Sequence, residues 1–194
     1  MLNRNNILKW LLYTTFVMYA SCSSVHNTTS DRYYKEIMNS EGSERVDLSR
    51  SQAILNFVEI FRTAYNRKDV DLLAKVFSDD ALISNFEKGA KQTKKKYIKY
   101  LHSVFERDAN INVKLENIEI VRHPKFPDIY GVRFRQVWNT TTYSNVGFVF
   151  LIVDFKDGEN IQILQHTWQP EKLNGEPLTK EGKFKSGNFD VKDE

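Results

Sequence analysis

The chain has 194 residues, 41% of them hydrophobic and 27% charged, with 4 Pro, 8 Gly and a single Cys. These proportions exclude a collagen-like, low-complexity or multispan membrane protein, and one Cys cannot close an internal disulfide. The formal charge of +3 falls to +1 without residues 1–21, which carry Arg4, Lys9 and no acid, so charge gives no reason to expect a nucleic-acid partner.

Arg4 and Lys9 precede an apolar run from Trp10 to Ala20, interrupted by Thr14 and Thr15. The run is shorter than the roughly 20 residues a spanning helix requires. Basic start, short apolar stretch and small residues at its end predict a secretory signal over 1–21. Tyr19, Ala20, Ser21 and Cys22 are similar to the lipobox of bacterial lipoproteins. That resemblance implies lipidation at Cys22, attachment to a membrane without a spanning segment, and residence in the cell envelope. No acidic cluster follows Cys22, so a periplasmic membrane face is expected rather than the cell surface. Residues 22–48, polar with few clustered apolar side chains, are expected to form a tether, with Tyr33, Tyr34, Ile37 and Met38 able to make a short helix.

Ser49 and Gln52 have the spacing of a capping box. Behind them Ile54, Phe57, Val58, Phe61, Ala64 and Tyr65 recur at intervals of three and four, which predicts an amphipathic helix. Asp69 is placed to cap a second helix carrying Val70, Leu73, Ala74 and Phe77, with its end expected at Ser78 to Asp80. Ala81 to Ser84 reads as a short strand. Thr93 caps a third helix with a buried face of Tyr97, Tyr100, Leu101, Val104 and Phe105. The lysines at 91, 94, 95, 96 and 99 near its start oppose the helix dipole, and read either as a solvated face or as a site for an acidic partner or lipid headgroups.

From Asn110 the apolar period becomes two. Ile111, Val113 and Leu115 alternate, and the phase slips before Ile118 and Ile120, which predicts a β-bulge near Glu116 and Asn117. In the next strand Tyr130, Val132, Phe134, Gln136 and Trp138 point one way, and Arg133 and Arg135 the other. Val146 to Phe155 is apolar on both faces, as a central, doubly covered strand should be. A turn at Asp157 and Gly158 leads to a last strand over 160–169, and a polar tail over 171–194 is expected to be poorly ordered. Helices followed by paired strands give an α+β fold: three helices packed on a strongly curved antiparallel sheet of four long strands plus a short one, shaped as a cone.

Tyr65 and Asn66 followed by Asp69, then Leu72 and Leu73, then Phe77 to Ala81, resemble the opening of the SnoaL-like, or nuclear-transport-factor-like, superfamily with its cystatin-like cone. The resemblance covers residues 49–170. In the second half Pro127 to Val132, Gln136 with Trp138, Tyr143 to Phe148, Phe150 and Leu151 with Asp154 and Phe155, and Thr167 to Pro170 resemble a module of lipoproteins from Bacteroides-type bacteria. The superfamily holds isomerases, dehydratases and cyclases beside non-catalytic binding domains, so the resemblance implies fold and location and leaves the activity open.

An isomerase-type site needs a carboxylate base facing the cone and a hydrogen-bond donor for the developing oxyanion. Strand parity puts Asp154 with Phe148, Phe150 and Ile152 as a candidate buried acid, and Tyr130, Tyr143 and His166 are candidate donors. The 4 His show no paired ligand spacing, so neither a metal nor any other cofactor is expected. Trp138, Tyr143, Gln136, Trp168 and Gln169 lie where adjacent strands would line a pocket mouth or an interface. The first expectation is therefore a non-enzymatic, lipid-anchored domain binding a small apolar ligand or an envelope protein; the alternative is an isomerase or hydratase using Asp154. Val149, Leu151, Val153 and Phe155 form the other face of their strand, where a second copy of the chain could pack.

Overall fold

The structure is a computed structural model that describes residues 28–38, 46–85, 90–156, 160–173 and 176–177. The expected signal segment, Cys22 and most of the tail lie outside the described residues. The elements run α1 (Thr28–Met38), α2 (Leu48–Asn66), α3 (Val70–Val76), β1 (Phe77–Asn85), β2 (Ala90–Thr93), α4 (Lys94–Arg107), β3 (Ile111–Arg122), β4 (Ile129–Thr140), β5 (Ser144–Lys156) and β6 (Asn160–Pro170). Two short strands, β7 (Lys172–Leu173) and β8 (Glu176–Pro177), pair with each other. The main sheet has the order β2-β1-β6-β5-β4-β3. Strands β3 to β6 form the expected antiparallel meander, and β1 joins β6 in parallel. This is an α+β cone: helices α2, α3 and α4 fill the inner face of a bent sheet.

Local chemistry explains where each helix starts. Asp47, not a Ser49–Gln52 box, caps α2: both the backbone N–H and the hydroxyl of Ser49 donate to its carboxylate, at 3.0 and 2.9 Å. A carboxylate satisfies two donors at once, so the chain enters the helix earlier than the serine spacing indicates. Asp69 caps α3 by accepting from the Leu72 N–H, and Thr93 caps α4 by accepting from the Lys96 N–H, both as expected. Between α2 and α3 the chain turns through Lys68 at a φ of 56°, and the Lys68 ammonium donates to the carbonyls of Phe105 and Asp108 at the end of α4. A cation there complements the negative end of the helix. Asn66 binds β3 as a peptide group would, its amide donating to the Val113 carbonyl and its oxygen accepting from the Val113 N–H.

Three boundaries differ from the sequence reading. Helix α3 ends at Val76, and Phe77 already has extended backbone, because its ring is buried in the core and it opens the pairing with Ile163. The polar Ser78 to Asp80 stretch is an irregular part of β1, where the register shifts before Leu82. Strand β2 has no alternation to reveal it and exists because Ala90 to Thr93 pair with Asn85 to Leu82. The bulge in β3 is where the phase slip placed it: the register shifts between Glu116 and Glu119, and Asn117 has a φ of 54°.

Strand β5 is covered on both faces, as its composition requires, but the faces are exchanged relative to expectation. Val149, Leu151, Val153 and Phe155 join the helices in the main core and are at most 4% exposed. They are therefore already occupied and offer nothing to a second copy. Phe150 and Ile152, with Phe148 beside them, lie on the outer face in a second cluster with Ile37, Tyr33, Tyr34 and Phe126. Asp154 alternates onto that outer face.

Part of the expected tether therefore has a packed role. Helix α1 lies across the outer face, with the Tyr34 ring edge-on to Phe150 at 4.7 Å. Close approach is possible because β4 has a glycine beneath it: a Cβ on Gly131 would stand 3.0 Å from both Ile37 and Phe150. His123, wholly buried, accepts at Nδ1 from the N–H groups of Lys125 and Phe126, which leaves its proton on Nε2, 3.4 Å from Glu36 of α1. Glu36 also meets Arg32 and Lys125.

Candidate functional site

The inner core does not fill the cone completely. A cavity of about 340 Å³ remains between α4 and the sheet, walled by Tyr65 of α2, Ile83 and Ser84 of β1, Gln92 of β2, Tyr97, Tyr100, Leu101 and Val104 of α4, Gln136 and Trp138 of β4, and His166 and Trp168 of β6. Arg107, Asp108, Thr140, Tyr143 and Asn145 complete its rim. Its size falls within the range of small-ligand sites.

Each wall residue is there for a local reason. Gln136, Trp138, His166 and Trp168 alternate onto the inner face, although the register shift in β6 opposite Ile152 and Val153 sets the phase for His166 and Trp168. The Trp168 indole lies over Gly147, where a Cβ would come within 2.7 Å of the ring and closer still to the Gln169 carbonyl. Trp138 meets the edge of Tyr65 at 5.3 Å. Of the expected ligand or interface residues, the structure thus brings Gln136, Trp138, Tyr143 and Trp168 together around one space. Gln169 is buried but is not a wall of it, because it alternates to the opposite face from Trp168.

The deep polar groups carry no formal charge. The Tyr65 and Tyr97 hydroxyls are 2.6 Å apart and hydrogen-bonded. Burial pushes both phenols well above their usual range, so they stay protonated. His166, 5% exposed, is pushed down to about 4 by burial and is neutral at physiological pH. Its ring packs near Phe61, Phe77 and Tyr97, and its Nδ1 has no hydrogen-bond partner among the described residues. Asn145 likewise leaves its carbonyl oxygen buried and unpartnered there while its amide donates to the Tyr143 hydroxyl. The single carboxylate in the wall, Asp108, accepts from Arg107 through one oxygen and from Thr142 through the other, which holds it below the usual carboxylate range.

Of the isomerase candidates, the donors Tyr143 and His166 line the cavity, but the base does not join them. Asp154 stands on the outer face, away from the cavity, and Tyr130 packs edge-on against Phe155, outside the wall. The sequence reading missed Tyr65 and Tyr97 as a polar pair, because both sit at ordinary apolar helix positions. Among the described residues no group of three or more His, Cys, Asp or Glu could hold a metal. Nor is any described helix long and apolar enough to cross a membrane. Two more open clefts exist, one of about 610 Å³ beside the Lys94–Asp79 pair and one of about 520 Å³ on the outer face. In the second, Arg133 is paired with Glu119, and Arg135 with Glu116 and Glu171. Neither has the uncharged aromatic interior of the cavity in the cone.

Curved sheet, three inner helices and a cavity at the mouth define a nuclear-transport-factor-2-like, cystatin-like domain. The chain belongs to the family described as the Cds6 C-terminal NTF2-like domain, whose model matches residues 53–167, more than half of the chain. Among solved structures it resembles Bd1075 of Bdellovibrio bacteriovorus, at 20% identity and a TM-score of 0.54 over 63% of this chain and 41% of that one. It also resembles the helical cell shape determining protein Pgp2 of Campylobacter jejuni, at 17% identity and a TM-score of 0.54 over 64% and 42% of the two chains. A Nostoc punctiforme protein with a cystatin-like fold matches at 13% identity and a TM-score of 0.54 over 70% and 100%. The chain thus spans about two fifths of the first two proteins, and likeness at such identities establishes the fold alone. No curated protein sequence matches significantly.

Proposed function

We propose that this protein is a lipid-anchored cell-envelope domain whose cavity binds a small, largely apolar ligand without catalysis. The observation that carries the binding reading is the cavity itself: Trp138, Trp168, Tyr97 and Tyr65 surround a space of about 340 Å³, and His166 and Asn145 keep buried polar atoms there without partners among the described residues. Such atoms are costly unless something satisfies them, and a ligand with a donor or acceptor would do so. The lipobox-like segment at Cys22 supports the anchor and the envelope setting. The isomerase alternative is weaker, since its base, Asp154, is on the other side of the sheet.

Native mass spectrometry of the protein purified from its own envelope fraction tests the binding reading. A retained small molecule is expected, and it should be lost from Trp138→Ala while the fold, followed by circular dichroism, survives. Retention unchanged by Trp138→Ala would place the ligand elsewhere. Radiolabelled palmitate should mark the mature chain and should not mark Cys22→Ser.

A further inference from the structure

We infer that the exposed side of α4 is a docking surface for an anionic membrane, met through Lys95, Lys96 and Lys99. This goes beyond ligand binding, and it uses the anchor reading only for the nearness to a bilayer that acyl chains supply.

The helix itself gains nothing from these three side chains. All are exposed in its first two turns, where positive charge opposes the helix dipole. Lys95 and Lys99 are four residues apart and Lys96 and Lys99 three, spacings at which like charges repel. Lys94 is paired with Asp79, but none of the three has an ion-pair partner among the described residues. The one acid of α4, Glu106, lies 3.3 Å from His102. Elsewhere compensation prevails: Arg50, Arg62, Arg133 and Arg135 each hold a carboxylate. The lysine cluster of α4 therefore finds its counter-charge outside the chain.

The character of the cluster selects the partner. Ammonium groups on flexible stems are point charges without a fixed hydrogen-bonding fork. They suit mobile headgroups better than a defined acidic site on a protein, which arginine would meet with two parallel hydrogen bonds. Tyr100, next to Lys99 in sequence and 54% exposed, adds an amphipathic ring of the kind that settles at a membrane–water interface. Retention at the membrane is the work of the acyl chains, and the lysines set which side of the domain faces the bilayer. Because Tyr100 also lines the cavity, docking on this side brings the cavity close to the headgroups.

The test uses the protein purified from its envelope fraction and incorporated into vesicles of phosphatidylcholine, alone or mixed with phosphatidylglycerol. Ser103→Cys, at an exposed position four residues after Lys99, carries an environment-sensitive fluorophore. With Cys22 acylated, residue 103 offers the free thiol. Emission is expected to shift to the blue only with the anionic lipid, and to return in high salt. Losing three lysines at an anionic surface weakens docking roughly 100-fold, so Lys95→Gln, Lys96→Gln and Lys99→Gln together should abolish the shift. Lys35→Gln, Lys75→Gln and Lys114→Gln together make the same change in net charge at other exposed lysines and should preserve it. Absence of the shift with anionic lipid, or its equal loss in both triple variants, would overturn the docking surface. A larger shift with soluble polyglutamate than with phosphatidylglycerol would also overturn it, in favour of an acidic protein. Entry of the fluorophore at Cys22 of the unmutated protein would refute the anchor alone; the same vesicles added to the labelled chain carrying Cys22→Ser then decide the surface by the same shift.

Discussion

Acid should weaken this fold through His166, and by an amount that the structure sets. The imidazole is 5% exposed among Phe61, Phe77 and Tyr97, with no partner at Nδ1 among the described residues. Burial lowers its pKa from 6.5 to about 4. Above about pH 6.5 both the folded and the unfolded chain carry it neutral, and it adds no pH dependence. As the pH falls through that value the unfolded chain takes up a proton and the folded chain does not. Stability should then drop by about 1.4 kcal/mol per pH unit until about pH 4, a total of about 3 kcal/mol. Against a typical domain stability of about 5–15 kcal/mol this is a large loss. The assay is urea unfolding of the wild type and His166→Phe from about pH 7.5 to about pH 4. Phenylalanine keeps a ring among the same aromatic neighbours and cannot titrate. Subtracting its curve also removes the contribution of His123, which burial lowers too and which titrates in the same direction. A difference between the two proteins that does not change with pH would refute the reasoning.

Other outcomes follow from single contacts. Gly147→Ala should cost about 1–3 kcal/mol and perturb the near-ultraviolet dichroism of Trp168, because the new methyl has no room beneath the indole. Tyr97→Phe leaves the buried Tyr65 hydroxyl without its 2.6 Å partner, and should lower stability by about 1–3 kcal/mol in the same urea assay. Ile37→Ala should release α1 from the outer face. Hydrogen exchange across residues 28–38 should then accelerate while the β3–β6 meander keeps its protection; slowed or unchanged exchange there would count against the docking described.

Much of the fold was legible because it is written in short-range periodicities. The spacing from Ile54 to Tyr65 marked α2, the caps at Asp69 and Thr93 marked α3 and α4, and the slip between Leu115 and Ile118 marked the bulge. Each of these signals depends only on residues within a few positions, where helix and strand geometry act directly. Gln136, Trp138, Tyr143 and Trp168 were also legible as a group, since strands adjacent in sequence had to place them side by side.

Other features depended on contacts between distant segments. Alternation along β5 shows that two apolar faces exist and cannot say which of them the helices cover, so Asp154 was assigned the wrong side. Strand β2 and the parallel β1–β6 pair arise from partners supplied elsewhere in the chain. Composition made residues 28–38 look like tether, whereas a glycine in β4 and a hydrophobic outer face let them dock. The amino-acid order by itself determined the inner helices, the four long strands, the bend and the aromatic set around the mouth, because local sterics and side-chain period decide those. Tertiary structure decided which faces are inner and outer, the pairing of Tyr65 with Tyr97 and the burial of His166, because desolvation and contact exist only once separate segments have met.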